Sequence, residues 1–424
     1  MRRTLTVGCK WPYSAFRGRL NLLDSDSRSK YPAQIFVFGG LIDIFLRLGE
    51  RIMKNLSYLL YFVCIAAVFS ASTTEIESLR LRAQDSSAEL TTSDTTVISK
   101  FWSASLDQML LAKSSLECVE IRRQLAEQKG DDFLSHYAVA YVAEAKSAIE
   151  AAFSDAQRME EADQQQMIER NLMILTGELK SPDLAPLGLK RLDAEDAVVQ
   201  YWAFKAVTDP GVVQQLTSDI VGDEKTTEAI LTALHKSVSG GVDTQIQKLI
   251  VRFCLSFDNL LARDILLLIA DGRIEAYRSW TVTDEALDVS VLTALGNVAV
   301  LREDPADKST FGRKFAELYA LTIQRYLKGK GSFSKTEIGD SMTVIAEVDQ
   351  SVLSKTMGIK TGILPSLKRK SGMEREYETL FGDRMRSGLL ADKFKFDYGK
   401  DASGKPITVP QELGPMSEKS TEQD

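Results

Sequence analysis

The stretch DAEDAVVQYWAFKAVTDPGVVQQL, residues 193–216, decides the fold that we expect for this chain. An apolar helical segment runs up to Asp209-Pro210, where a turn reverses the chain, and a second short helix follows. A single helical hairpin of this kind cannot bury its apolar faces, so neighbouring hairpins must stack on it. The stretch therefore predicts a domain that is built from packed helical pairs.

The chain carries weaker copies of the same pattern on both sides of this stretch. Residues 171–187 fall on residues 199–215 when they are shifted by 28 positions, and this shift places Pro182 on Pro210. A third copy at 227–239 keeps the apolar helix but lacks the proline. The recurrence predicts an array of similar helical units rather than one isolated hairpin.

The quoted stretch resembles a HEAT-like repeat of the short type first noted in phycobilisome lyases, and the resemblance extends in weaker form over residues 171–239. In that family an Asp-Pro turn separates the two helices, and Asp209-Pro210 matches it here. The small residue where the helices cross would be Ala203 or Ala206. The resemblance implies an α-solenoid segment, and it implies a packing unit that serves many binding roles rather than lyase activity.

Helical spacing of apolar residues continues from about 97 to 395, and no part of the chain shows the alternation that is typical of a strand. We therefore expect an all-α fold, with an α-solenoid of HEAT-like helical hairpins over 97–395. The repeat period is lost beyond about residue 300, so an irregular helical region is expected there. The polar composition predicts a flexible linker over 73–96 and a disordered tail over 396–424.

The segment MKNLSYLLYFVCIAAVFSAS, residues 53–72, has the layout of a secretory signal peptide. A short positive start precedes an apolar run that is too short for an ordinary membrane span, and small residues allow cleavage before Thr73. We expect an exported protein, periplasmic or extracellular, whose translation starts at Met53 and whose residues 1–52 are upstream sequence read in frame. The open alternatives are a genuine basic extension over 1–52, and a retained inner-membrane anchor or a buried core helix over 53–72.

The charge of the chain argues against nucleic acid as a partner. The formal net charge of the whole chain is −7, and residues 1–72 contribute ten Lys or Arg against four Asp or Glu. Removal of this +6 leaves −13 on residues 73–424. Because nucleic-acid binding depends on neutralising phosphates, an acidic chain is a poor candidate for it.

Two of the four cysteines, Cys118 and Cys254, lie in the expected mature chain. Each stands in an apolar helical context, which favours buried free thiols. A disulfide between them stays open as the alternative, because an exported protein can form one.

The sequence contains no recognisable catalytic constellation. Its only two histidines, His136 and His235, fit neither a zinc-binding spacing nor a triad with a nucleophile elbow, and we interpret both as structural. The segments 332–335 and 360–362 match the S-x-x-K and K-T-G motifs of serine penicillin-recognising enzymes, but they stand too close together and no S-x-N lies between them. We therefore assign no catalytic, cofactor-binding or metal-binding residue, and we expect no cofactor.

Basic residues cluster between positions 355 and 370 of this otherwise acidic chain. If this cluster has a function, we expect its residues to contact an anionic surface, such as lipid headgroups or an acidic glycan. As a structural feature they would form a solvated loop. The residues are Lys355, Lys360, Lys368, Arg369 and Lys370.

These patterns favour an exported, non-enzymatic helical-repeat protein that binds another envelope protein or organises a complex. The first alternative is an exported all-helical enzyme of the α/α type that acts on polysaccharide, with Trp102, Trp202 and Trp280 along its groove; we favour core packing for these three residues. The second alternative is a membrane-anchored binding domain. Membrane contact is expected only if residues 53–72 are retained.

Overall fold

The computed structural model describes residues 73–83, 90–130, 132–218, 223–383, 385–400 and 402–416. Within these ranges the chain is helical with no strand, which confirms the predicted all-α class. Two isolated bridges, Gly382 with Ser387 and Lys400 with Pro406, close short turns near the C-terminus. None of the described helices is both long and apolar enough to span a bilayer. The predicted signal segment lies outside the described residues.

The helical elements follow one another with short connections. In chain order they are α1 (73–83), α2 (Thr92–Leu111), α3 (Ser115–Gln128), α4 (His136–Ala156), α5 (Ala162–Glu178), a 3₁₀ turn (Pro182–Leu184), α6 (Ala185–Leu189), α7 (Ala197–Thr208), α8 (Pro210–Leu216), α9 (Glu224–Gly240), α10 (Thr244–Cys254), α11 (Leu260–Arg278), α12 (Ala286–Leu301), α13 (Pro305–Gly329), α14 (Lys335–Val348), a π-helix (Asp349–Thr356), α15 (Ile363–Arg369), α16 (Met373–Phe381) and α17 (Leu389–Phe394).

Short polar side chains set the beginnings of most of these helices. Each lies just before the first helical residue and accepts a hydrogen bond from a backbone N–H of the first turn, which otherwise has no partner within the helix. Proline follows the capping aspartate of α8 and of α13, where its fixed φ suits the first helical position. The capping residues are Thr91, Ser114, Ser135, Asp196, Asp209, Asp223, Asp243, Asn259, Asp304 and Ser334.

Apart from the short α8, the helices from α2 to α14 pack in two alternating rows. In one row α2 packs on α4, α4 on the 3₁₀ turn before α6, α6 on α9, α9 on α11, and α11 on α13. In the other row α3 packs on α5, α5 on α7, α7 on α10, α10 on α12, and α12 on α14. A single apolar core runs between the rows. The alternation continues through Val348, beyond the point at which the sequence period is lost.

The stretch that led to the fold prediction forms α7 and α8, joined at Asp209, whose carboxylate caps α8. Small residues let these helices approach their neighbours closely. A Cβ on Gly177 of α5 would lie 3.0 Å from the indole of Trp202, and a Cβ on Gly188 of α6 would lie 3.0 Å from the carbonyl of Ala203. Ala203 and Ala206 are both buried.

The N-terminal linker prediction is wrong for residues 73–83 and 92–96, which are helical. Ile76 is fully buried, and Leu79 and Ala83 are almost so. These three apolar residues lie on one face of α1, because they are separated by three and four positions. The linker prediction relied on the many Ser, Thr, Asp and Glu residues in this part of the chain and did not take the apolar spacing into account.

The predicted disordered tail is wrong for residues 396–400 and 402–416, of which Gln411, Glu412 and Leu413 bond to side chains of α13. Leu413 is buried, its backbone N–H donates to Oε1 of Gln324, and Nε1 of Trp280 donates to the carbonyl of Gly414 at 3.1 Å. One buried leucine and two side-chain hydrogen bonds to the backbone fasten a segment that has few apolar groups. Residues 417–424 of the predicted tail lie outside the described residues.

Cys118 and Cys254 are free and buried, which confirms the favoured interpretation of these two residues. Burial raises the pKa of the Cys118 thiol to about 11 and that of Cys254 to about 12. Both side chains are therefore protonated, apolar parts of the core rather than reactive thiols.

Candidate functional site

A cleft of about 570 Å³ opens where α12, α13 and α14 meet. Its walls combine aliphatic side chains with carboxylates, and among the described residues the only cationic one that lines it is Arg325 of α13. The loop before α12 and the first turns of α12 form one side, and α14 forms the other. The lining residues are Val282, Asp284, Glu285, Ala286, Val289, Ser290, Arg325, Glu337, Asp340, Thr343, Val344 and Glu347.

The base of the cleft is a buried hydrogen-bonded group that joins all three helices. Nε of Arg325 donates to Oε1 of Glu285 at 3.1 Å, and the hydroxyl of Ser341 donates to Oε2 of the same carboxylate at 2.7 Å. The Arg325 and Glu285 side chains are each 7% exposed, and Ser341 is fully buried. Because both oxygens of Glu285 are occupied, this carboxylate is held in one orientation.

Two aromatic rings lie close to the Arg325 guanidinium. Its carbon lies 4.4 Å from the centre of the Phe333 ring and 5.8 Å from that of Trp280, and the two rings meet edge to face. Gly329 permits this arrangement, since a Cβ there would lie 2.2 Å from Cε2 of Phe333. Stacking of this kind fixes the plane of a guanidinium group.

The two terminal nitrogens of Arg325, Nη1 and Nη2, donate no hydrogen bond within the described part of the chain. They belong to a side chain that is more than nine-tenths buried and that lines the cleft. Neither nitrogen is completely buried, so water reaches both of them through the cleft, and an oxygen acceptor that enters can replace that water. The cleft therefore offers up to four N–H donors to an oxygen that enters it.

A second buried ion pair fixes α11 against α12 beneath the cleft. Asp288 is fully buried and accepts from Nε of Arg273 at 2.6 Å, from Nη2 of Arg273 at 2.9 Å and from the hydroxyl of Tyr277 at 2.7 Å. Burial and the neighbouring Asp288 raise the pKa of Tyr277 well above its ordinary value, so its hydroxyl remains a donor. This pair determines where α12 begins, and so where Glu285 is placed.

Asp284, at one edge of the cleft, is already paired. Its oxygens lie 2.8 and 3.0 Å from Nζ of Lys248, and Gln245 and Thr244 also donate to it. Burial raises the pKa of Asp284, but the hydrogen bond and the charge of Lys248 outweigh burial and bring the pKa below its ordinary value. Asp284 is therefore ionised, with its charge largely balanced.

Three further carboxylates line the cleft from α14. Glu337, Asp340 and Glu347 are exposed and stand three and seven positions apart, which places them along one face of the helix. Glu337 also completes the capping box of α14 with Ser334. Val282 and Val344 of the lining are buried whereas these three carboxylates are exposed, so the cleft is apolar at its buried side chains and negative at its exposed rim.

The predicted basic cluster lies elsewhere. Lys355 is in the π-helix, Lys360 in the loop that follows it, and the other three at the C-terminal end of α15, with Lys370 in a left-handed conformation. All five predicted residues, Lys355, Lys360, Lys368, Arg369 and Lys370, are exposed, and none lines the acidic cleft. Their contact with an anionic surface stays a prediction.

A buried carboxylate begins the π-helix that precedes this basic cluster. Asp349 is 5% exposed and accepts a hydrogen bond from the hydroxyl of Thr361. Burial raises the pKa of Asp349 above its ordinary value of 3.8; the Thr361 hydrogen bond opposes this effect, and the negative charge of Glu376 adds to it. The folded protein thus binds a proton at Asp349 more tightly than the unfolded chain does.

We expect Asp349→Asn to raise the unfolding midpoint at neutral pH. The contribution of Asp349 to stability is fully present below its unfolded pKa and is lost as the pH rises through the raised folded pKa, where a buried charge must form. Asparagine can accept from Thr361 without that charge. Thermal unfolding across a pH series should show the advantage of the variant shrinking toward pH 3.8. An advantage of constant size at every pH would contradict this account.

No group of three or more His, Cys, Asp or Glu within the described ranges is arranged to hold a metal ion. His136 is the exposed first residue of α4, and His235 is a half-buried residue of α9.

Sequence analysis did not identify the cleft, although a signal existed in the spacing of Glu337, Asp340 and Glu347. Comparison with models of known protein families finds no match to this chain, and comparison with curated proteins finds no significant match either.

Proposed function

We propose that this chain is a non-enzymatic helical-repeat protein, an α-solenoid of HEAT-like hairpins, that binds another protein of the cell envelope and serves as its scaffold. The observation that carries the proposal is the alternating packing of α2 to α14 in two rows. Stacks of this kind present long surfaces formed by successive helices, and binding of other proteins is their usual use. The acidic cleft on α12, α13 and α14 supports the proposal, because it is a concave, charged feature formed by the last helices of both rows.

The cleft supports binding better than hydrolysis of polysaccharide. A glycosidase requires two carboxylates that are free to exchange protons with substrate and water. Both oxygens of Glu285 are occupied by Arg325 and Ser341, and Asp284 is paired with Lys248. Asp340 and Glu347, whose carboxylates have no side-chain partner in the part of the chain that the structure describes, lie on one exposed helix face rather than on opposite walls.

The experiment that tests the proposal is purification of the full chain with a C-terminal tag from its native cells, followed by native mass spectrometry. We expect one stoichiometric protein partner in the envelope fraction, and a chain that begins at Thr73 after removal of the signal peptide. A tagged protein of similar size from the same fraction is the control. Recovery as a partner-free monomer from every fraction, together with hydrolysis of a polysaccharide in a substrate screen, would support the enzymatic alternative.

A further inference from the structure

We propose that the cleft on α12, α13 and α14 binds a lysine-containing segment of the partner protein, with a backbone carbonyl of that segment on Arg325 and its lysine side chain on Asp340 and Glu347 of α14. The inference rests on the proposed function, since it names the part of the partner that the scaffold holds. It is carried by two independent observations: the unused donors of Arg325 and the arrangement of the lining residues.

The first observation is the buried guanidinium of Arg325. Its Nε is bonded to Glu285, the rings of Phe333 and Trp280 lie close to its carbon, and only Nη1 and Nη2 have no hydrogen-bond partner within the described residues. These donors can bind an oxygen acceptor that enters the cleft in place of water. Glu285 neutralises the charge of Arg325, so a neutral carbonyl suits this position as well as an anion does.

The second observation is the arrangement of apolar and negatively charged residues along the cleft. Val282, Ala286, Val289 and Val344 provide an aliphatic wall, and Asp340 and Glu347 stand at the exposed rim. A lysine or arginine side chain has the matching order, with an apolar stem and a cationic head that stays near water.

The balance of charge selects a cation over an anion. Five carboxylates line the cleft against the single Arg325. Two of the five, Asp284 and Glu285, are paired with Lys248 and Arg325. The exposed Asp340 and Glu347 of α14 add negative charge, which attracts cations to the mouth of the cleft. An acidic segment would meet repulsion at this rim before it reached Arg325.

The test uses the full chain and a short fluorescent peptide with blocked ends that carries lysines, compared with a twin in which every lysine is glutamine. We expect saturable binding of the lysine peptide in fluorescence anisotropy, weaker at high salt, and little binding of the twin. The double variant Asp340→Asn with Glu347→Gln should bind about tenfold more weakly, since it removes two exposed ion pairs.

A matched control variant loses the same amount of negative charge at positions away from the cleft. Glu228→Gln with Glu303→Gln changes two exposed carboxylates on other parts of the surface and should leave peptide binding unchanged. Arg325→Lys keeps the pairing charge for Glu285 but removes the Nη donors, and it should also weaken binding. Circular dichroism establishes that each variant is folded before binding is measured.

Equal binding by wild type and by both carboxylate variants, or equal binding of the lysine peptide and its twin, would overturn the inference. Failure of the inference is distinguishable from failure of the proposed function. If native purification yields a stoichiometric partner whose binding is unchanged by Asp340→Asn with Glu347→Gln, the scaffold stands and the cleft is not its docking site. If the peptide binds as expected but no protein partner is recovered, the cleft recognises basic segments and the scaffold role fails.

Discussion

Replacing Asp288 by asparagine is expected to reduce the free energy of unfolding by about 3–5 kcal/mol, the cost of leaving a buried charge without its partner. Asp288 is fully buried and accepts three hydrogen bonds, two from Arg273 and one from Tyr277. Its removal leaves the Arg273 guanidinium, which is 6% exposed, without a counter-charge. Urea unfolding followed by far-ultraviolet circular dichroism measures the change.

The control for this prediction removes the whole polar group rather than one partner. The triple variant Asp288→Leu, Arg273→Met and Tyr277→Phe leaves no buried charge and no unpaired hydroxyl, so it should unfold at higher urea concentration than Asp288→Asn. If Asp288→Asn and the triple variant were both as stable as the wild type, this group would not hold α11 against α12. The placement of Glu285 at the base of the cleft would then need another explanation.

The second large effect is expected at Trp102. This side chain is fully buried between α2 and α4, with its ring centre 5.0 Å from that of Tyr141. Trp102→Ala should cost about 3–5 kcal/mol, because it removes a large apolar side chain and leaves a cavity. Trp102→Phe should cost much less: it keeps an aromatic ring and removes Nε1, which has no hydrogen-bond partner among the described residues.

Trp202 provides the comparison for Trp102, since the same substitution is made at a half-buried position. Its ring packs on Gly177, but Nζ of Lys205 lies 4.1 Å from the ring centre on a face that solvent reaches. Trp202→Ala should cost about 1–2 kcal/mol, because only part of the ring is removed from water. Equal losses at both positions would contradict the depth at which the structure places them.

Local patterns in the sequence predicted the helices well, because their signals lie close together along the chain. The Asp209-Pro210 turn, the small residues Ala203 and Ala206, and the burial of Cys118 all follow from a few neighbouring residues. The all-helical class followed from the same periodicity. These features depend on capping, proline geometry and apolar spacing, which act over one or two turns of helix.

The candidate site could not be predicted in the same way, because its parts are brought together by long-range packing. Glu285 meets Arg325 and Ser341 across 40 and 56 positions of sequence. Two polar segments were assigned incorrectly for a related reason. Residue composition does not show that Ile76 or Leu413 finds an apolar site on a distant helix.

The central claim is that this scaffold holds its partner through the cleft, and zero-length cross-linking of the native complex tests it most directly. A carbodiimide joins a carboxylate to an amine only where the two are in contact, and mass spectrometry identifies the joined peptides. The account predicts cross-links from Asp340 or Glu347 to a lysine of the partner. Cross-links from other carboxylates of the chain, with Asp340 and Glu347 left unmodified by the partner, would contradict it.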